Sequence, residues 1–203
     1  MKLFSLKGIC TLFLLFVFTI GISGCGHGIH TPDYISGEVI MIDPEPEPDS
    51  NWLYEDEFTS IEFQPFLRAN DRTAGYLEGV AIELKNHSDE AIQIIWDSAV
   101  FVDIDGSTSG LAGLDGEISL SDMEDNDIPD TTIASRSVRE IFLVPTDTVY
   151  YDDGWQREPI FTVTQDNITD VDGATFEIIL PVKIAEEVKE YQFVFESNIY
   201  FLE

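Results

Sequence analysis

The chain has 203 residues, with 10 Lys and Arg against 39 Asp and Glu, a formal net charge of -29, three His and two Cys. A body this acidic repels nucleic acid phosphates and anionic headgroups over long range. Its few cations never cluster into a patch that could hold a phosphate backbone, which excludes nucleic acid as a partner.

Residues 1–24 read MKLFSLKGICTLFLLFVFTIGISG, with cations at Lys2 and Lys7, an apolar run from Ile9 to Ile20 and then small residues. This is the grammar of a signal peptide, and its uncharged stretch is at the low edge of the roughly 20 residues that span a bilayer. The next four residues, Ile22-Ser23-Gly24-Cys25, resemble the lipobox of bacterial lipoproteins. That resemblance implies that the Cys25 thiol is diacylated, that the signal is cut before Cys25 and that the new amine is acylated in turn. Two or three chains, at about 0.8 kcal/mol per buried CH₂, hold a protein on a membrane where one binds only marginally. A secreted protein with Cys25 free, or an uncleaved anchor, are the alternatives.

Removing residues 1–24 takes away two cations and no acid, leaving 8 cations against 39 acids and a net charge of -31. Cys10 leaves with the signal, so the mature chain cannot form an internal disulfide. No Asp follows Cys25, which favours the outer membrane in a Gram-negative cell; in a Gram-positive cell the same anchor means the outer face of the plasma membrane.

Residues 25–51 read as the lipidated N-terminus and an acidic tether. Asp43-Pro44-Glu45-Pro46-Glu47-Pro48-Asp49 alternates Pro with acids, which favours an extended spacer at about 3.1 Å per residue. A second reading makes Glu38-Val39-Ile40-Met41-Ile42 a strand of the domain and the proline run a surface loop. Residues 52–203 form one domain, large enough for a single core.

Within that domain, alternation of apolar and polar residues marks strands with one buried face. Val80, Ile82 and Leu84 alternate with Ala81, Glu83 and Lys85, a turn follows at Asn86-His87-Ser88-Asp89, and Ile92, Ile94 and Trp96 face one way beyond it, so the pair reads as a hairpin. Ala99 to Asp103 is a strand stopped by Asp105-Gly106. Gly106 to Asp130 reads as a long irregular excursion, part of it folded back on Leu111, Leu114, Ile118 and Leu120, and as a candidate partner-facing surface. Val138 to Val144 is a strand ended by Pro145, and Pro159 to Thr164 a shorter one. Phe176, Ile178 and Leu180 pair with Tyr191, Phe193 and Phe195 through Ala185-Glu186-Glu187, with a helical turn over Lys183 to Glu190 as the alternative. The sum is an all-β chain, expected to form an immunoglobulin-like antiparallel β-sandwich of about 7–9 strands, with a closed barrel as the second choice.

Acidic loops are the candidate binding sites. Asp103 and Asp105 lie two apart before Gly106, and Asp166, Asp170 and Asp172 crowd a second loop. Calcium, which takes six to eight oxygens from flexible loops, is the cation such loops would hold, and no other cofactor is implied. Ile168 and Val171 occupy positions where the helix-loop-helix calcium motif needs an oxygen ligand and Gly, so that motif is absent. The same acids also suit backbone-capping turns. Trp155, in a loop after Asp153-Gly154, is the better candidate for exposure to a ligand, with core packing as the competing reading, whereas Trp96 has inward parity. Catalytic sets are lacking: His27 and His30 fall in the tether and His87 in a turn, so no His is placed on the scaffold as a general base, and the chain is read as a non-enzyme.

The stretch Lys85 to Glu90, Ile94 to Ala99, Phe101-Val102-Asp103 with Gly106-Ser107, and Val144-Pro145-Thr146-Asp147 to Gly154-Trp155 resembles a set of uncharacterised β-sandwich envelope lipoproteins. That resemblance carries no activity and transfers no catalytic residue. The function expected is a lipid-anchored, extracytoplasmic structural or protein-interaction module of the bacterial envelope, held to the membrane by its acyl chains and facing an envelope protein. A calcium-dependent adhesion or carbohydrate-binding module built on the acidic loops is the alternative.

Overall fold

The computed structural model describes residues 34–46, 50, 52–69, 74–115, 120–123 and 128–202. The expected signal peptide, Cys25 and, of the expected tether, residues 26–33, 47–49 and 51 lie outside them. The strands are β1 (Tyr34–Asp43), β2 (Leu53–Glu55), β3 (Thr59–Ala69), β4 (Ala74–Asn86), β5 (Ile92–Ile94), β6 (Val100–Val102), β7 (Thr108–Leu114), β8 (Thr131–Ile133), β9 (Val138–Pro145), β10 (Val149–Tyr151), β11 (Trp155–Arg157), β12 (Phe161–Thr164), β13 (Thr175–Ile184) and β14 (Glu187–Leu202). The α-helix α1 (Ile168–Val171) is a single turn.

Twelve of these strands share one antiparallel sheet, whose main path runs β1-β14-β13-β6-β7-β9-β4-β3-β2, with β12 beside β4 and β5 between β13 and β8. The expected immunoglobulin-like sandwich, with two separate sheets, is therefore corrected: one curled sheet forms, open between β1 and β2. The reason lies in β7. Its first half pairs with β6, from Val100↔Gly110 to Val102↔Thr108, and its second half with β9, from Leu111↔Pro145 to Leu114↔Phe142. β7 thus joins the β6 side and the β9 side in one sheet, each half pairing with a different neighbour, where a sandwich would keep the two apart. Gly113 makes this passage possible, because a Cβ there would overlap the Trp96 indole and Ile141.

The curled sheet closes over an aromatic core. Phe63 of β3 meets Phe193 and Phe195 of β14 edge-on, with ring centroids 4.6 and 5.0 Å away. Phe63, Phe176, Phe193 and Phe195 are fully buried, each contributing about 1.5–3 kcal/mol relative to exposure. Near the open edge, the Trp52 indole N–H donates to the Val39 carbonyl of β1 at 2.6 Å.

Several expected strands form with the expected inward residues. Val80, Ile82 and Leu84 are buried, as are Phe176, Ile178, Leu180, Tyr191, Phe193 and Phe195. The last two sets pair directly, Phe176↔Phe195 to Ile184↔Glu187, and turn at Ala185 with φ +53°, so no helix interrupts them. Residues 34–43, which composition placed in the spacer or in a strand, are β1, paired with β14 from Tyr34↔Leu202 onward.

The β4–β5 hairpin does not form: β5 pairs with β13 and β8 instead. Asn86 redirects the chain at this point. Its fully buried amide donates to the carbonyls of Glu90 at 2.7 Å and Ala134 at 3.0 Å and accepts from the Ser88 N–H at 2.8 Å. Trp96 is buried, but in a one-turn 3-10 helix, Trp96–Ser98, rather than in the strand. The irregular excursion from Gly106 holds a central strand, β7, with Leu111 in the core.

Candidate functional site

Only β10 and β11 stand apart from the main sheet, pairing with each other alone among the described residues. Their turn, Asp152-Asp153-Gly154, places Asp153 at φ +51° and Gly154 at φ +138°, with the Asp152 N–H on the Gly154 carbonyl at 2.9 Å. Gly suits the second of these angles because it has no Cβ to clash. The hairpin is fixed at its far end by Arg157. That guanidinium donates to the Glu78 carbonyl at 2.6 Å and to its Oε1 at 2.9 Å, and lies 4.6 Å from the Phe142 ring centroid. What the hairpin displays is aromatic: Tyr151 is 70% exposed, Tyr150 is 43% exposed, and half-buried Trp155 meets the Tyr151 ring edge-on at 5.6 Å.

Beside this hairpin lies an open cleft of about 300 Å³ whose walls include Thr108 and Ser109 of β7, Thr146, Asp147 and Trp155. The Ser109 Oγ is buried and has no hydrogen-bond partner in the structure. The β6–β7 turn adds carboxylates close by. Asp103 Oδ1 accepts from the Ile104 N–H at 2.7 Å and Asp105 Oδ1 from the Ser107 N–H at 2.8 Å, while Gly106 takes φ +82°. Burial pushes the Asp103 carboxyl above the ordinary range despite its amide bond, and the charges of Asp105 and Asp147 push the same way. Asp105 is held below the ordinary value by the hydroxyl and N–H of Ser107. The fold thus gathers two sequence candidates, Asp103 and Trp155, around Asp147, which sequence reading did not single out. Nothing in the local sequence marks Asp147 or Ser109, since 37 positions of chain separate them and only β7 and the Thr146–Thr148 turn bring them to one cleft.

The second acidic loop is separate and structural in its contacts. Asp172 Oδ1 accepts from the Ile199 N–H at 2.8 Å, and Asn167 Oδ1 caps the Thr164 N–H at 2.6 Å, while Asp166 and Asp170 are exposed. Among the described residues no three His, Cys, Asp or Glu side chains converge as metal ligands would. His87 sits by Glu55, its Nε2 3.8 Å from Oε1, away from the cleft.

A tyrosine cluster went unnoticed in the sequence. Asp56 Oδ2 accepts from Lys189 Nζ at 2.6 Å and from the Tyr191 hydroxyl at 3.0 Å, while Oδ1 accepts from the N–H groups of Phe58 and Thr59 at 2.8 and 2.7 Å. This joins the β2–β3 turn to β14. Burial pushes the Tyr191 hydroxyl up to about 12, so it is a donor here and no base. The signal available was Asp56 three residues before Thr59, the spacing of a side-chain-capped turn.

No family model matches the chain, and no curated protein does. Among solved structures, the chain is similar to the X-ray structure of Northeast Structural Genomics Consortium target SoR45, at 9% identity and a TM-score of 0.26, over 85% of this chain and 88% of that one. Among the described residues no helix is long and apolar enough to cross a membrane.

Proposed function

We propose that the protein is a lipid-anchored, extracytoplasmic protein-interaction module of the bacterial envelope, without catalytic activity, whose contact surface is the β10–β11 hairpin and its cleft. The observation that carries this reading is the hairpin itself: a two-stranded element outside the main sheet, pinned by Arg157, that exposes Tyr150 and Tyr151 where they stabilise nothing in the core. Exposed aromatics grouped beside a cleft are the usual composition of a protein contact. The cleft offers no His, and the Ser109 hydroxyl that lines it is hydrogen-bonded to no base, which suits binding rather than turnover. The location rests on Ile22-Ser23-Gly24-Cys25 behind its charged and apolar leader.

Two measurements test the reading. Palmitate fed to the cells should label the protein, and Cys25→Ser should remove the label and move the chain to the soluble fraction; an unlabelled wild type refutes the anchor. A photo-crosslinking residue at Tyr151 should capture a defined envelope protein that the same residue at exposed Val188 does not. Equal capture at both positions refutes the contact surface.

A further inference from the structure

The chemistry of the cleft specifies its partner. Five cations, Arg68, Arg136, Arg139, Arg157 and Lys189, form ion pairs with Glu78, Asp89, Asp115 and Asp56. No ion pair between described residues involves Asp103, Asp105 or Asp147. These three carboxylates are near enough for Asp105 and Asp147 to act on Asp103 electrostatically, and Asp147 lines the cleft. Trp155 lines the same cleft, and the exposed Tyr151 beside it meets its ring edge-on. Aromatic faces beside uncompensated carboxylates favour one kind of group: a flat, weakly hydrated cation that can lie on a ring while its N–H groups reach oxygens. The buried Ser109 Oγ, on a residue of the cleft wall, has no hydrogen-bond partner among the described residues. The volume of about 300 Å³ is at the small end of ligand clefts, right for one long side chain and too small for a whole drug-sized molecule to be enclosed.

We infer that the cleft between β7 and the β10–β11 hairpin receives an arginine side chain from an extended basic segment of a partner protein, with Asp147 and the Asp103–Asp105 turn supplying the negative charge and Trp155 and Tyr151 the aromatic platform. This rests on the protein-interaction reading and narrows it. The body as a whole carries a net charge of -29, so it attracts any polycation, and the inference is about where the cation seats and by what contacts.

The test uses the full chain in neutral detergent, titrated with a synthetic hexapeptide of alternating Gly and Arg at about 0.15 M salt, where exposed charges more than a Debye length apart are screened. Binding of wild type is compared with Asp147→Asn, Trp155→Ala and, as a charge control at the distant β13–β14 turn, Glu186→Gln. The expected result is at least a fivefold loss of affinity for each cleft variant, a loss below twofold for Glu186→Gln, and weaker binding of the Gly-Lys analogue than of Gly-Arg. Equal losses from Asp147→Asn and Glu186→Gln overturn the inference, since the attraction is then diffuse. Binding of a neutral oligosaccharide that is lost in Trp155→Ala, with no peptide binding, overturns it in favour of a glycan. If Trp155→Ala proves unfolded by circular dichroism, Tyr151→Ala takes its place, because that ring is 70% exposed. A negative peptide result with specific crosslinking at Tyr151 would fault the arginine chemistry alone; absence of specific crosslinking faults the contact surface itself.

Discussion

Asp56 is a carboxylate pulled in two directions. Burial raises its pKa, but hydrogen bonds from Lys189, the amides of Thr59 and Phe58, and Tyr191 outweigh burial and leave it lowered. A carboxyl with a lowered folded-state pKa stabilises the fold above the unfolded value near 4, and that contribution is lost as pH falls through the folded value. Asp56→Asn should therefore cost about 2 kcal/mol at pH 7, the scale of a charged hydrogen bond in a partly buried site. It should also flatten the decline in stability below pH 4; urea unfolding at pH 7 and pH 3 measures both, and an unchanged acid slope would show that other carboxylates set it. Tyr191 acts at the opposite limit. Its hydroxyl, first by desolvation and then by the charge of Asp56, is raised from 10.0 to about 12. The folded state thus keeps a proton that the unfolded chain releases from pH 10 upward, so stability is full below pH 10 and falls between pH 10 and 12. Tyr191→Phe should reduce that alkaline decline while lowering stability at neutral pH by about 1 kcal/mol, the net worth of an ordinary hydrogen bond.

At the scale of elements, β7 decides how the sheet curls. A methyl group at Gly113 would occupy the space of the Trp96 ring and Ile141, both buried. Gly113→Ala should destabilise by about 1–3 kcal/mol through overpacking; the denaturation midpoint measures it, and a neutral effect would mean β7 can shift away from Trp96. This element also marks the limit of what sequence reveals. Alternation in β4, β13 and β14 identified their inward residues, because a residue's parity along a strand depends on local geometry alone. Parity does not name a neighbour. Ile92 and Ile94 face inward as read, yet β5 joins β13 and β8, and Asn86 at the end of β4 bonds the Glu90 and Ala134 carbonyls across that junction. The same pattern serves a sandwich or a curled sheet, and only the split pairing of β7, with its small Gly110, Ala112 and Gly113, separates the two. Of the candidate site, the Asp103–Asp105 turn was legible as punctuation and Trp155 as an aromatic beside a turn, although it stands in β11 and not in a loop. Asp147 and Ser109 were not, because their meaning arises from contact across the sheet.

For the molecule as a whole, 39 acids against 10 cations leave most carboxylates without a partner, and their repulsion opposes the compact state. An exposed ion pair offsets little of this: Arg136–Asp89, with both side chains largely exposed, belongs to a class of contacts worth at most about 1 kcal/mol. Screening acts on the whole surface. The Debye length falls from about 30 Å at 0.01 M to about 3 Å at 1 M, so repulsion between distant acids is mostly removed by about 0.5 M NaCl. The melting temperature should therefore rise by several degrees over that range and level off as the screening length drops below the spacing of neighbouring acids. Calcium separates general screening from a specific site. At matched ionic strength, CaCl₂ should raise the melting temperature by about as much as NaCl if Asp103, Asp105 and Asp172 serve the turns they cap, since those oxygens already hold backbone N–H groups. An additional, saturable rise with calcium, abolished by Asp105→Asn, would instead assign the β6–β7 turn to a cation. A melting temperature unmoved by NaCl would mean that the acids are spaced too widely for their repulsion to limit stability.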